Sequence, residues 1–315
     1  MTSGNIGVAI QAPDARGFVE QIELAERLGI PTAWSTIGGA GGADTLTSYA
    51  AALGRTERIK VGTAIVQTWP KHPIAIAQQA QALEQLAPGR LILGVGPAHE
   101  PAMVRTYGVT WQRPLQQLRE YLTVLRALLH EGTVDFEGAH VTARAELRNP
   151  PRTPLMASAL RPRSFELCGE LADGAISWMC PRSYLVEQAL PALIEGARKA
   201  GRPAPPLVAH VPIAVTADRQ AARNLARERL GNYSRTPFYL AMFTQAGFGD
   251  AADGYSDALL DDLVVSGTED EVAARLRTYL DAGMGEVLAH PVLDSADMAG
   301  SVQRSFAAVA SAHRG

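Results

Sequence analysis

The chain has 315 residues, 47% of them apolar, and a formal net charge of −3 from 29 Lys and Arg against 32 Asp and Glu. That apolar fraction excludes a disordered chain, and the near-neutral balance excludes nucleic acid as the main partner, because phosphate binding needs a basic face. No apolar run reaches the ~18 residues of a membrane helix. Residues 1–11 lack the basic region and apolar core of a secretory signal, so a cytoplasmic protein with two reduced thiols, Cys168 and Cys180, is expected, with no membrane partner.

Residues 6–10 predict a first strand. Residues 15–28 predict a helix whose Phe18, Ile22, Leu24, Ala25 and Leu28 share a face before Gly29 stops it. Strands at 32–36, 59–66 and 91–95 then alternate with helices at 46–53 and 75–86. The strand at 91–95 is almost wholly apolar, as suits a strand covered on both faces. A long excursion over 96–154 contains a helix at 115–129. Strands at 155–158 and 175–179 alternate with helices at 164–171 and 184–200, and a strand at 207–216 follows. Its own excursion holds a helical tract at 219–230 and a Gly- and aromatic-containing segment to about residue 262; a helix at 269–282 leads to an eighth strand at 286–289. Eight strands alternating with helices predict an α/β fold, a (β/α)8 TIM barrel with insertions after strands 4 and 7, as one domain over residues 1–315. An open doubly wound sheet would alternate too, but the chain has no dinucleotide fingerprint.

Barrel chemistry sits at the C-terminal strand ends. Gln11, Thr36, Gln67, His99 with Glu100, Ser158 with Arg161, Cys180, Thr216 and His290 stand there, and no pair among them forms a sharp catalytic signature. Gly38–Gly39–Ala40–Gly41–Gly42 fits a phosphate cradle or a surface loop, and Gly94–Val95–Gly96 lacks the third glycine of a dinucleotide turn. No metal site is expected: the cysteines form no CxxC pair, and His99 has no ligand partner four residues on. His72, His130, His140, His210 and His313 fall on helices, loops or buried strands and read as structural. The chemistry is then either acid/base or carried by an organic cofactor. Arg161-Pro162-Arg163 precedes a helix that Ser164 could cap, where arginines are unfavourable for the macrodipole unless an anion binds. A phosphate site and a solvated charge pair are the two readings.

Three ordered blocks resemble the bacterial luciferase-like oxidoreductases, in the branch using the deazaflavin coenzyme F420. They are residues 59–66 with His72-Pro73 and 88–96, residues 154–162 closed by Leu171-Ala172-Asp173-Gly174, and residues 267–272 with Ala282-Gly283. The resemblance implies hydride transfer between the deazaflavin C5 and a small organic substrate, in a homodimer. The alternatives are an FMN-dependent monooxygenase and a non-catalytic F420-binding protein. It also implies a cis peptide at Ala64–Ile65 behind the ring and a phosphate held at Ala159, Leu160 and Arg161, with Arg163 beside them. Gln67 and Ser158 would line the ring; Trp34, Gln11 and Trp178 are candidates for the substrate pocket, and the stretch from Tyr233 to Tyr239 for its cover. Sugar-phosphate-oxidising members carry a histidine after the strand-two tryptophan and Glu after the strand-four glycines. Here Trp34 is followed by Ser35-Thr36-Ile37-Gly38, and Pro97 replaces the Glu. His99 is the nearest proton-handling group, with a loop histidine that only hydrogen-bonds its surroundings as the other reading.

Overall fold

The computed structural model describes residues 4–36, 41–231 and 233–313. Eight parallel strands form a closed ring: β1 (Asn5–Ile10), β2 (Thr32–Ser35), β3 (Lys60–Thr63, resumed at Val66–Gln67), β4 (Leu91–Gly96), β5 (Leu155–Ser158), β6 (Gly174–Ile176), β7 (Leu207–Val215) and β8 (Glu286–Pro291). Each pairs with its neighbours in chain order. Closure comes from β8 against β1, with Asn5 opposite Glu286 and Val8 opposite Ala289. The alternation of strand and helix therefore resolves as a (β/α)8 barrel and not as an open sheet.

Period-two alternation sorts the side chains into two cores. Ile6, Val8 and Ile10 of β1 join the large layer between strands and helices. Ala9, Trp34, Ile92, Met156, Ile176, Val208 and Leu288 form a second core inside the barrel. Its floor is Trp34, fully buried, whose indole N–H donates to Glu286 Oε1 at 2.8 Å. That indole needs Gly62 beside it, because a Cβ there would lie 2.5 Å from the ring. Two residues further along each chain segment, the same inner face turns polar: Gln11 after Ala9, Ser158 after Met156, Trp178 after Ile176, His210 after Val208 and His290 after Leu288. Those positions form the C-terminal mouth.

Two of the blocks that carry the family resemblance contain structural joints. Arg90 donates to the Ile59 carbonyl at 2.9 Å and the Thr56 carbonyl at 2.7 Å, tying the start of β4 to the loop before β3. Asp173 accepts from the Leu155 amide at 2.9 Å and bridges Arg126 at 3.3 Å, fixing the start of β5.

The structure departs from the sequence expectation in four places. The third strand, expected to run unbroken over 59–66, stops at Thr63 and resumes at Val66; the Ala64–Ile65 peptide between them is cis, as the family resemblance implies. The sixth strand ends at Ile176, and Met179 turns the chain at φ 53°. The excursion after β4 holds a helix at Glu100–Tyr107 and an antiparallel hairpin, Thr133–Glu137 with Thr142–Glu146, besides the expected helix, here Pro114–Arg126. The Glu120 carboxylate secures the hairpin turn, accepting the backbone N–H of His140 at 2.7 Å and of Val141 at 3.0 Å. The excursion after β7 ends in a short strand, Val265–Gly267, which pairs in parallel with the upper half of β7. A last helix, Met298–Ser311, follows β8. Among the described residues no helix is long and apolar enough to cross a membrane, and no group of three or more His, Cys, Asp or Glu is placed to hold a metal. Cys168 and Cys180 are free and buried, and burial pushes both thiols up to about 12.

Candidate active site

Three histidines and three larger aromatic rings converge at the mouth. His210, on the inner face of β7, brings Nε2 to 3.1 Å from Nδ1 of His290 on β8. The Trp178 ring lies over both, its centroid 4.2 Å from His210 and 4.9 Å from His290. Tyr233, from the excursion after β7, meets Trp178 at 5.9 Å and Tyr239 at 4.8 Å. His99, at the start of the helix after β4, closes the group at 5.8 Å from Tyr233 and 5.7 Å from Tyr239. Four separate βα connections thus supply one cluster. Tyr233 and Tyr239, from the stretch expected as a substrate cover, thus pack against Trp178 and His99.

The electrostatics of the cluster follow from burial. Desolvation lowers the pKa of His290 to about 4 and holds that of His210 well below the usual imidazole range, where the neighbouring His290 lowers it further. Burial lowers the pKa of His99 too, favouring its neutral form. Burial raises Tyr239 and Tyr233 above the ordinary phenol range. Burial thus favours the uncharged form of every titratable ring in the cluster.

The opposite rim is built by β3 and β4. Half-buried Ala64 and Ile65 pack against the inner core, and Gln67 pairs with Gly96. Gly96 must lack a side chain, since a Cβ there would lie 2.0 Å from Ser158 Oγ and 3.3 Å from Ile65. Gln11 is at the mouth but committed, its amide donating to the Pro291 carbonyl at 2.6 Å. Trp34 is not at the mouth: its side chain fills the floor and is 0% exposed, because its strand position points inward one layer too low. The Gly38–Gly42 loop lies largely outside the described residues.

After β5 the arrangement of donors differs from the expectation. Ala159 gives its N–H to the Ile176 carbonyl at 2.9 Å. Leu160 and Arg161 both donate their N–H to Ser164 Oγ, each at 3.1 Å, so Ser164 sits at the third helical position as a reciprocal cap and Arg161 is the capping residue. These amides are occupied by the protein itself. The side chains of Arg161 and Arg163 are exposed and make no ion pair among the described residues, which leaves two guanidinium groups to meet an anion.

His210 is the residue that sequence reasoning missed. It sits inside an apolar strand and reads as a core histidine; the usable signal is its spacing, two residues beyond an inner-core valine and with His290 two residues beyond an inner-core leucine.

Fold and mouth together define a (β/α)8 barrel with an uncharged, ring-lined site at its C-terminal end. Residues 1–286 match the family model for luciferase-like monooxygenases, and the chain belongs to that family. It is 29% identical to an F420-dependent glucose-6-phosphate dehydrogenase of Nocardia farcinica, over 87% of this chain and 88% of the relative. It is also 29% identical to a 5,10-methylenetetrahydromethanopterin reductase of Archaeoglobus fulgidus, over 75% and 77%. Among solved structures, an F420-dependent secondary alcohol dehydrogenase in complex with an F420–acetone adduct superposes with a TM-score of 0.79 at 18% identity, over 98% of this chain and 99% of that one. At that identity the likeness concerns the fold.

Proposed function

We propose that this chain is a coenzyme F420-dependent oxidoreductase that moves a hydride between the deazaflavin C5 and a carbon of a small organic substrate. The observation that carries the reading is the pair of unlike walls at the mouth. On the β3–β4 side a rim of Ala64, Ile65 and side-chain-free Gly96 suits the face of a flat tricyclic ring. On the β6–β8 side a wall of uncharged rings suits an organic substrate and keeps bulk water out. The relatives named as F420-dependent support the choice of cofactor.

The residues fit such a group. Ile65, Gly96, Gln67 and Ser158 would border the ring, and Arg161 and Arg163 would hold the phosphate through their guanidinium groups. When bound in reduced form, the deazaflavin supplies two electrons as a hydride from C5. The chain's own share is to orient the substrate between Trp178 and His99, to exclude water and to exchange the accompanying proton.

Titration of the purified protein with F420 and with FMN, followed by fluorescence, tests this. F420 should bind at micromolar concentration or below, and reduced F420 should be oxidised when a suitable substrate is added. Tight FMN binding with no F420 binding would show the monooxygenase alternative instead. F420 binding without turnover of any substrate would show a storage protein.

A further inference from the structure

We propose that His210 and His290 act as one proton relay at this site, and that the substrate they serve is an uncharged ketone or the corresponding alcohol. The proposal rests on the F420 reading above for the source of the hydride. Its observations are independent of that reading: the 3.1 Å contact between His210 Nε2 and His290 Nδ1, and the absence of any other hydrogen-bond partner for either ring among the described residues.

Two neutral imidazoles joined in this way share one proton. Either His210 Nε2–H donates to His290 Nδ1, leaving N–H on the outer Nε2 of His290, or His290 Nδ1–H donates to His210 Nε2, leaving that outer Nε2 a bare acceptor. A lone neutral imidazole that gives up its N–H becomes an imidazolate, which is why His99 by itself is a poor acid here. The pair avoids that state. As His290 Nε2 releases its proton, His290 Nδ1 takes the shared one and His210 Nδ1 takes a replacement from a hydronium ion or buffer acid reaching the mouth, which is left as water or the conjugate base. Both rings begin and end neutral.

The relay lies on the correct side of the barrel. β7 stands four strands from β3 in a ring of eight, so the histidine pair faces the Ile65 rim across the axis. For ketone reduction, the carbonyl carbon accepts a hydride from the reduced deazaflavin. The carbonyl π electrons move onto oxygen, and that oxygen takes the proton from His290 Nε2. One C–H and one O–H bond form, two electrons leave the deazaflavin, and alcohol oxidation runs the same path backwards. The substrate class follows from the wall. Trp178, His99, Tyr233 and Tyr239 complete it without a formal charge, so a carboxylate or phosphate on the substrate would be desolvated here with no cation from the cluster to meet it.

The experiment has one arm free of turnover. In ¹⁵N-histidine NMR of the cofactor-free enzyme at pH 7, His210 and His290 should both be neutral and joined by a shared proton, and the shared signal should vanish in both His290→Gln and His210→Asn. Charged rings, or no shared proton, would overturn the relay. The second arm loads the enzyme with reduced F420 and offers cyclohexanone against 4-oxocyclohexanecarboxylate, which differ in charge. The neutral ketone should react at least ~10-fold faster, and each histidine variant should slow hydride transfer by about 10²-fold while F420 affinity stays unchanged. Equal rates in the variants would remove the relay from the mechanism. A preference for the carboxylate, or F420 binding with neither ketone reduced, would overturn the substrate class. Failure to bind F420 at all would fall on the proposed function, and the NMR result would still decide the relay.

Discussion

At the residue scale, Glu286 is a buried carboxyl on the barrel floor whose chemistry the site does not use. Burial raises its pKa from the ordinary 4.5 to about 7, against the opposing hydrogen bond from Trp34 and the field of Lys60. A carboxyl that holds its proton more tightly folded than unfolded stabilises the fold below the unfolded pKa. That contribution is lost as pH rises through the window from 4.5 to 7, and the loss amounts to about 3 kcal/mol. Glu286→Gln should therefore be more stable than the native chain at pH 8 and differ little at pH 4.5; denaturant unfolding at the two pH values measures it, and parallel pH curves for both proteins would refute it. The mouth makes a second residue-scale prediction. If Arg161 and Arg163 hold the cofactor phosphate as proposed, Arg161→Ala with Arg163→Ala removes two charge-assisted contacts worth about 1.5–3 kcal/mol each, and F420 affinity should fall by at least ~100-fold. Binding of the phosphate-free deazaflavin should hardly change. An equal loss for both ligands would place the arginines elsewhere in function.

At the element scale, the hairpin after β4 depends on one side chain of a neighbouring helix. Glu120→Ala leaves the amides of His140 and Val141 without their acceptor and should lower stability by about 1–3 kcal/mol. Hydrogen exchange should accelerate first in residues 133–146; uniform acceleration over the chain would mean that the hairpin and barrel open together. This hairpin was not read from the sequence: its strands alternate polar and apolar residues, but each is only five residues long, half-exposed and carries just two apolar positions. The barrel strands were legible because burial on both faces demands apolar runs, and their ends agree with the sequence expectation to within a few residues. β3 shows the limit: residues 59–66 are rich in β-branched side chains, and nothing in their periodicity marks the break after Thr63.

At the scale of the whole molecule, the barrel interior is closely packed around Trp34, and that packing sets how the strands approach one another. Gly62→Ala puts a methyl group within 2.5 Å of the indole ring, and overpacking of this kind costs about 1–3 kcal/mol. A lowered melting temperature with F420 affinity retained is expected, because the clash lies at the floor and the ligand at the mouth. Unchanged stability would show that the indole has room to shift. The sequence by itself determined the eightfold alternation, the apolar face of the helix at 15–28, and the basic spot at Arg161 and Arg163. All three follow from local pattern and from the need to bury apolar surface. Only the tertiary structure decided that Trp34 belongs to the floor and that His210 meets His290 beneath Trp178. Contacts of that kind join strands 80 residues apart in the chain, and they exist only once the sheet has closed and set the height of each inward side chain.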